Sequence, residues 1–95
     1  MVTATLNNTV LASSDRTQVV EGNHYFPPDS IKNEFFKPSD THTTCSWKGV
    51  ASYYNAQVGD QLVPDAAWYY PKTTTDKAKP IEGWVAFYKN KVDVK

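Results

Sequence analysis

Ninety-five residues leave room for one hydrophobic core, and 40% apolar with 21% charged residues is ordinary for a folded soluble chain. Ten Lys+Arg balance ten Asp+Glu, so there is no overall basic field to hold nucleic acid or an anionic membrane surface. A single cysteine excludes an intrachain disulfide, Cys and His are too few for a Cys-rich zinc site, and no apolar run approaches the ~20 residues of a membrane span. Met1–Asn7 has neither a basic n-region nor an apolar h-region, so it does not read as a secretory signal. These features predict one cytoplasmic domain over residues 1–95, with no metal and no cofactor.

Residues 2–6 alternate as Val-Thr-Ala-Thr-Leu, the period of a strand, and Asn7-Asn8 tolerates the positive φ of a tight hairpin. Val10–Ala12 reads as the returning strand. After a turn at Ser13–Arg16, Thr17–Val20 reads as the third strand of a meander. Glu21-Gly22-Asn23 interrupts it. Pro27-Pro28, Asp29 and the Ile31/Phe35 spacing predict one short helix over 28–36, closed by Lys37-Pro38. Thr41–Cys45 is β-prone, and Gly49 marks a bend. Val50–Val58 predicts a strand with Tyr53 and Tyr54 on opposite faces, turned at Gly59-Asp60 into Gln61–Val63. Pro64-Asp65 predicts a break or an edge position before the strand resumes at Ala66–Tyr70. Residues 72–80 read as a mobile polar loop. Trp84–Tyr88 reads as the last full strand, with Trp84, Ala86 and Tyr88 on one face, and Val92 and Val94 suit a short edge strand.

Thirteen aromatic residues against three leucines favour a pleated, half-buried surface over a helical bundle. The expected class is therefore mainly β: short antiparallel strands forming a small barrel or tent with the one helix. Charge is unevenly placed. Residues 1–71 carry 4 − 7 = −3 and residues 72–95 carry 6 − 3 = +3. A solvated loop and tail explains this; so does a lysine gate over an anionic ligand.

Four segments carry a resemblance: Arg16–Pro28 (RTQVVEGNHYFPP), Thr43–Tyr54 (TTCSWKGVASYY), Asp65–Pro71 (DAAWYYP) and Ile81–Tyr88 (IEGWVAFY). In this order, over about residues 8–93, they resemble the domain-of-unknown-function family 427. The resemblance implies a small, mainly β barrel or tent whose biochemical role is not established. A label attached to that family hints at nucleotidyl transfer. This chain has no Gly-Ser turn, no Asp-x-Asp or Asp-x-Glu pair and no Lys-x-Asp-Gly, so its residues do not support that chemistry.

Candidate catalytic residues are His24, Lys48 and Cys45. His24 suits acid/base work or a ligand contact, and equally a structural role in an irregular turn. Cys45 is a candidate nucleophile or a small buried hydrophobe. Lys48 is flanked by Trp47 and Gly49, a pattern for holding a carboxylate or phosphate or for a solvated lysine in a turn. The resemblance favours the functional role, since packing needs no ammonium. Asn23, Tyr25, Trp47, Tyr53, Trp68 and Tyr70 are the candidate ligand-binding residues. Glu21 and Asp65 are carboxylates that could position His24 or Lys48, or cap turns. His42, among threonines, reads as a surface residue.

Three functions fit these residues. One is a module binding a small polar or anionic ligand in an aromatic-lined pocket. The second is a small enzyme using His24 with Lys48 or Cys45. The third is a homodimer with an aromatic seam. Nucleic acid is disfavoured because the basic residues lie mostly outside the aromatic segments.

Overall fold

Period-two alternation in the longest strands decides the architecture. A computed structural model describes residues 1–95 as nine strands in antiparallel sheets. They are β1 (Val2–Leu6), β2 (Thr9–Ser14), β3 (Gln18–Val20), β4 (Asn23–Tyr25), β5 (Phe36–Cys45), β6 (Gly49–Val58), β7 (Gln61–Tyr69), β8 (Val85–Phe87) and β9 (Asp93–Val94). The main sheet runs β5-β6-β7-β8, a second runs β2-β1-β9, and β3-β4 is a separate hairpin. Phe26, just after β4, exchanges two backbone hydrogen bonds with Val85 of β8 (2.7 and 2.9 Å), which fastens the hairpin beside the main sheet. No helix is long and apolar enough to cross a membrane.

Tyr53 and Tyr54 do face opposite ways, and the same alternation splits the core in two. One face of the main sheet turns Tyr54, Ala56, Ala67, Val85 and Phe87 toward Leu6, Leu11, Ala12 and Val92 of the second sheet and its flanks. Alanines on both sides bring these sheets close, and Phe26 meets Phe87 edge-on at 5.5 Å. The opposite face carries Tyr25, Ala51, Tyr53, Tyr70, Ile81 and Ala86, with Cys45, Trp68 and Trp84 packed against them. Tyr25 and Val20 of the β3-β4 hairpin, and Ile81 from the segment before β8, pack onto that face.

Several expectations are corrected. The helix over 28–36 is absent: the chain makes two 3-10 turns, Pro28–Ser30 and Asn33–Phe35. Between them Ile31 is extended and pairs with Ala12, while the Lys32 amide donates to Leu11 (2.9 Å). Nine residues are too few to sustain a helix in isolation, so pairing to β2 prevails. The opening meander of three strands is also absent. β1 lies between β2 and β9, and β3 turns back on β4 instead. The sheets do not close into a barrel. Pro64-Asp65 does not break β7. It forms a bulge in which Asp65 adopts φ 50° and its amide donates to Asn55 Oδ1 (2.9 Å). Residues 72–80 are tied down rather than featureless. The Thr74 amide donates to the Lys48 carbonyl, Thr75 Oγ1 to that of Trp47 (2.8 Å), and Thr73 twice to Glu82.

The β5-β6 hairpin turns at Ser46-Trp47-Lys48 and closes at Gly49, which has φ 120°. A Cβ there would stand 2.8 Å from the Lys72 carbonyl oxygen. Gly49→Ala should therefore lower the unfolding free energy by about 2–3 kcal/mol through strain and displacement of the 72–75 segment. Gly22→Ala, with φ 80° but open space around it, should lose only about 1 kcal/mol. Equal melting temperatures for the two variants would refute the steric part of this account.

Candidate functional site

Lys48 is the one charged side chain that the fold buries, with 7% of it exposed. The hairpin loop turns it inward because Gly49 reverses the chain directly after it. Its ammonium lies 5.1 Å from the Trp47 ring centre and 5.6 Å from that of Tyr70. Both distances are within cation–π range. Its ion-pair partner is Glu21, whose side chain is 58% exposed. Burial pulls the Lys48 pKa down. The hydrogen bond to Glu21 and the nearby Tyr25, Glu21 and Cys45 charges outweigh it, and the net shift is upward.

Glu21 reaches Lys48 from a two-residue turn between β3 and β4, where Glu21 has φ 54° and Gly22 φ 80°. Glycine, asparagine or aspartate is the usual residue at such an angle. A glutamate there accepts backbone strain, and the longer carboxylate gains the ammonium.

Around this pair the aromatic face is stitched by polar groups. Trp68 Nε1 donates to the Tyr25 hydroxyl (3.1 Å), and the two rings meet edge-on at 6.2 Å. Tyr53 shares hydrogen bonds with Thr43 Oγ1 (2.9 Å) and Tyr88 (3.3 Å). Tyr88 in turn packs 4.7 Å from Trp68. Burial raises the pKa values of Tyr25 and Tyr70, so both phenols hold their protons well into alkali. From the 72–80 segment Lys77 comes within 5.4 Å of the Trp47 ring centre. Trp47 thus has two ammonium groups in reach, and Lys77 has no carboxylate partner.

A family model matches residues 1–95. The chain belongs to the family described as Domain of unknown function (DUF427). A search of curated proteins found no match. In this DUF427 domain, Tyr25, Cys45, Trp47, Lys48, Tyr53, Trp68 and Tyr70 gather on or beside one sheet face. Asn23 is half-buried on the flanking hairpin.

The fold does not bring His24 to Lys48. Alternation along β4 turns it away from Tyr25, and its Nδ1 lies 2.8 Å from Thr17 Oγ1. Asp65 is likewise elsewhere, accepting from Ser39 (2.5 Å) and Thr41 (2.7 Å). Glu21, weighed in the sequence as a partner for either group, pairs with Lys48. Tyr88 and Lys77 join the cluster without having been singled out. The only sequence trace of Lys77 is the positive balance of residues 72–95. The single surface cavity of the DUF427 domain, about 430 Å³, is lined by His42, Val50, Ser52, Pro71, Lys72 and Thr74 and contains none of the candidate residues.

Proposed function

We propose that the domain binds a small, flat organic carboxylate at Lys48. One observation carries this reading: a buried ammonium is balanced by a single carboxylate that itself faces water. A core lysine kept for packing would be replaced by methionine or leucine, since desolvating an ammonium costs more than burying a thioether. A water-facing counter-ion is exchangeable. An incoming carboxylate takes the place of Glu21 on Lys48, its flat apolar part lies on the Trp47 ring, and Lys77 adds a second positive charge from outside. The exposed Tyr88 ring and the half-buried Trp68 ring on the same sheet face extend the aromatic surface. The enzyme reading that pairs His24 with Lys48 has less support, because His24 is bonded to Thr17 and Lys48 to Glu21.

Benzoate is the probe. Titrated into the protein, it should shift the Lys48 side-chain and Trp47 indole resonances saturably. Lys48→Met should weaken binding about a hundredfold, the usual loss on removing a buried charge partner. Lys77→Gln should weaken it severalfold. Shifts that do not saturate, or that survive Lys48→Met, would remove the proposal and leave the ion pair a purely structural clasp.

A further inference from the structure

We infer that the outer edge of β5 pairs with the β5 edge of a second copy of this chain, antiparallel about a two-fold axis at Thr43. An edge strand turns half of its amides and carbonyls outward, and folded proteins cover, shorten or charge such edges. This chain does so almost everywhere. β8 is closed by Phe26, which exchanges two backbone hydrogen bonds with Val85. β2 is covered by Ile31, which pairs with Ala12, and by the Lys32 amide, which donates to Leu11. β3 and β4 have three residues each and β9 has two. β5 is the exception. It is ten residues long and ends the main sheet, and only β6 bonds to the backbone of residues 37–45.

The two halves of this edge differ. Lys37, Pro38 and Asp40 punctuate the first half, and the register shifts between Pro38 and His42, where Ser39 and Thr41 bond to Asp65. Charge, proline and a bulge are the ordinary means of blunting an edge. The second half, Thr41-His42-Thr43-Thr44-Cys45, has no proline, lysine or carboxylate. It is rich in β-branched threonine, and from His42 onward it pairs residue for residue with β6. His42, Thr43 and Thr44 are exposed. A second copy fits this stretch by self-complementarity. With the axis at Thr43, Thr41 stands opposite Cys45 of the second copy, and His42 opposite its Thr44. No like charges meet, and the imidazole faces a hydroxyl. The seam then spans 41–45 in each copy, which is the unprotected stretch, and the bulge and its flanking charges fall outside it. Centring the axis on His42 instead would set the two imidazoles against each other. The pairing joins two four-stranded sheets into one.

One strand pair makes a small interface, so the association is weak, and sedimentation should be followed from about 10 μM to 1 mM protein. The mass should rise from monomer toward dimer across that range. Thr44→Lys sets an ammonium at the seam and should weaken dimerisation about tenfold or more. Thr44 is exposed, so the melting temperature of the dilute variant should stay that of the wild type. Thr44→Val, which keeps the shape and the strand preference, should dimerise at least as well as the wild type. The register has its own readout. Thr41→Cys should give disulfide-linked dimers under air, through Cys45 of the second copy. Within one chain positions 41 and 45 are too far apart along a strand to be bridged, and the wild type, with Cys45 alone, should not cross-link. Three results would each overturn the inference. A monomer at every concentration would leave the edge to an unrelated extended peptide or to water. A dimer that Thr44→Lys does not weaken would put the seam elsewhere, on the aromatic face. A dimer of Thr41→Cys without cross-links would refute the axis at Thr43.

Discussion

Raising the pH past about 10, the ordinary tyrosine and lysine range, should unfold this protein cooperatively, with tyrosinate appearing as structure is lost. Five groups push in the same direction. Burial raises Tyr25 and Tyr70, and Tyr54 is raised by burial and then by its neighbour Tyr69. Tyr88 is raised to about 12 by its hydrogen bond to Tyr53 and by burial. Lys48 is raised as well: Glu21 and the adjacent groups together overcome the opposing effect of burial. Each group has a higher pKa folded than unfolded, so above pH 10 the native state binds more protons than the unfolded chain. Their stabilisation is complete below the unfolded values and disappears as pH rises through the folded ones. One such proton is worth at most about 1.4 kcal/mol per pH unit, and less at the water-facing Tyr88. Two or three fully coupled groups are enough to exhaust a stability of about 5–10 kcal/mol within two or three pH units. Circular dichroism and tyrosinate absorbance, followed together, provide the check. Tyr70→Phe should move the alkaline midpoint upward. Tyrosines that ionise near their ordinary pKa with the fold intact would show that water reaches these rings freely. At the acid end the sign reverses. Glu82 is held at about 2 by the Thr73 amide and then Lys79, and Asp65 is lowered by Ser39 and Thr41. Their contributions are present above the ordinary carboxylate range and fade as pH falls.

What could be read from sequence was local. Tyr53 and Tyr54 face opposite ways, and so do Ala86 and Phe87, because alternation is a property of any strand and needs no knowledge of the partner. The Asn7-Asn8 and Gly59-Asp60 turns were legible for the same reason: their residues suit the backbone angles they adopt. What could not be read was pairing. The 28–36 segment has fair helical spacing, yet Ile31 is claimed by Ala12, nineteen positions earlier in the chain. The β3 strand gives no hint that it turns onto β4 rather than β2. The site divides in the same way. A lysine between Trp47 and Gly49 looked informative in one dimension. That it is buried, and that Glu21 from a hairpin 27 residues away completes it, is a fact of three dimensions. The cavity around His42 was illegible because its walls, the β5-β6 hairpin and the segment after β7, meet only in the fold. Within that sheet His42 is as exposed as its threonine neighbours suggest.

The two halves of the Glu21–Lys48 pair should prove unequal. Glu21→Gln should destabilise the protein by about 2–3 kcal/mol, and Lys48→Met by less than about 1 kcal/mol. The difference follows from where each charge is left. Without Lys48, the Glu21 carboxylate is 58% exposed and water solvates it, while the methionine fills the space among Trp47, Tyr70 and Tyr25. Without the Glu21 charge, the Lys48 ammonium remains sunk among rings, 7% exposed, with only the faces of Trp47 and Tyr70 to steady it. The ring contacts place the expected loss below the about 3–5 kcal/mol typical of an orphaned buried charge. Turn strain is separable. Glu21 sits at φ 54°, an angle asparagine adopts more easily, so Glu21→Asn removes the charge but relaxes the turn. It should be less harmful than Glu21→Gln by about 1 kcal/mol. The pH dependence gives a second, independent signature. An unpaired buried lysine has a lower pKa folded than unfolded, so its penalty is full at neutral pH and lifts as pH rises toward 10. Glu21→Gln should therefore gain stability with pH over the range where the wild type is flat. Denaturant unfolding of the four proteins at two pH values measures all of this. Equal losses for Glu21→Gln and Lys48→Met would mean that the ammonium reaches water by another route. The basis for an exchangeable counter-ion at this site would then be gone.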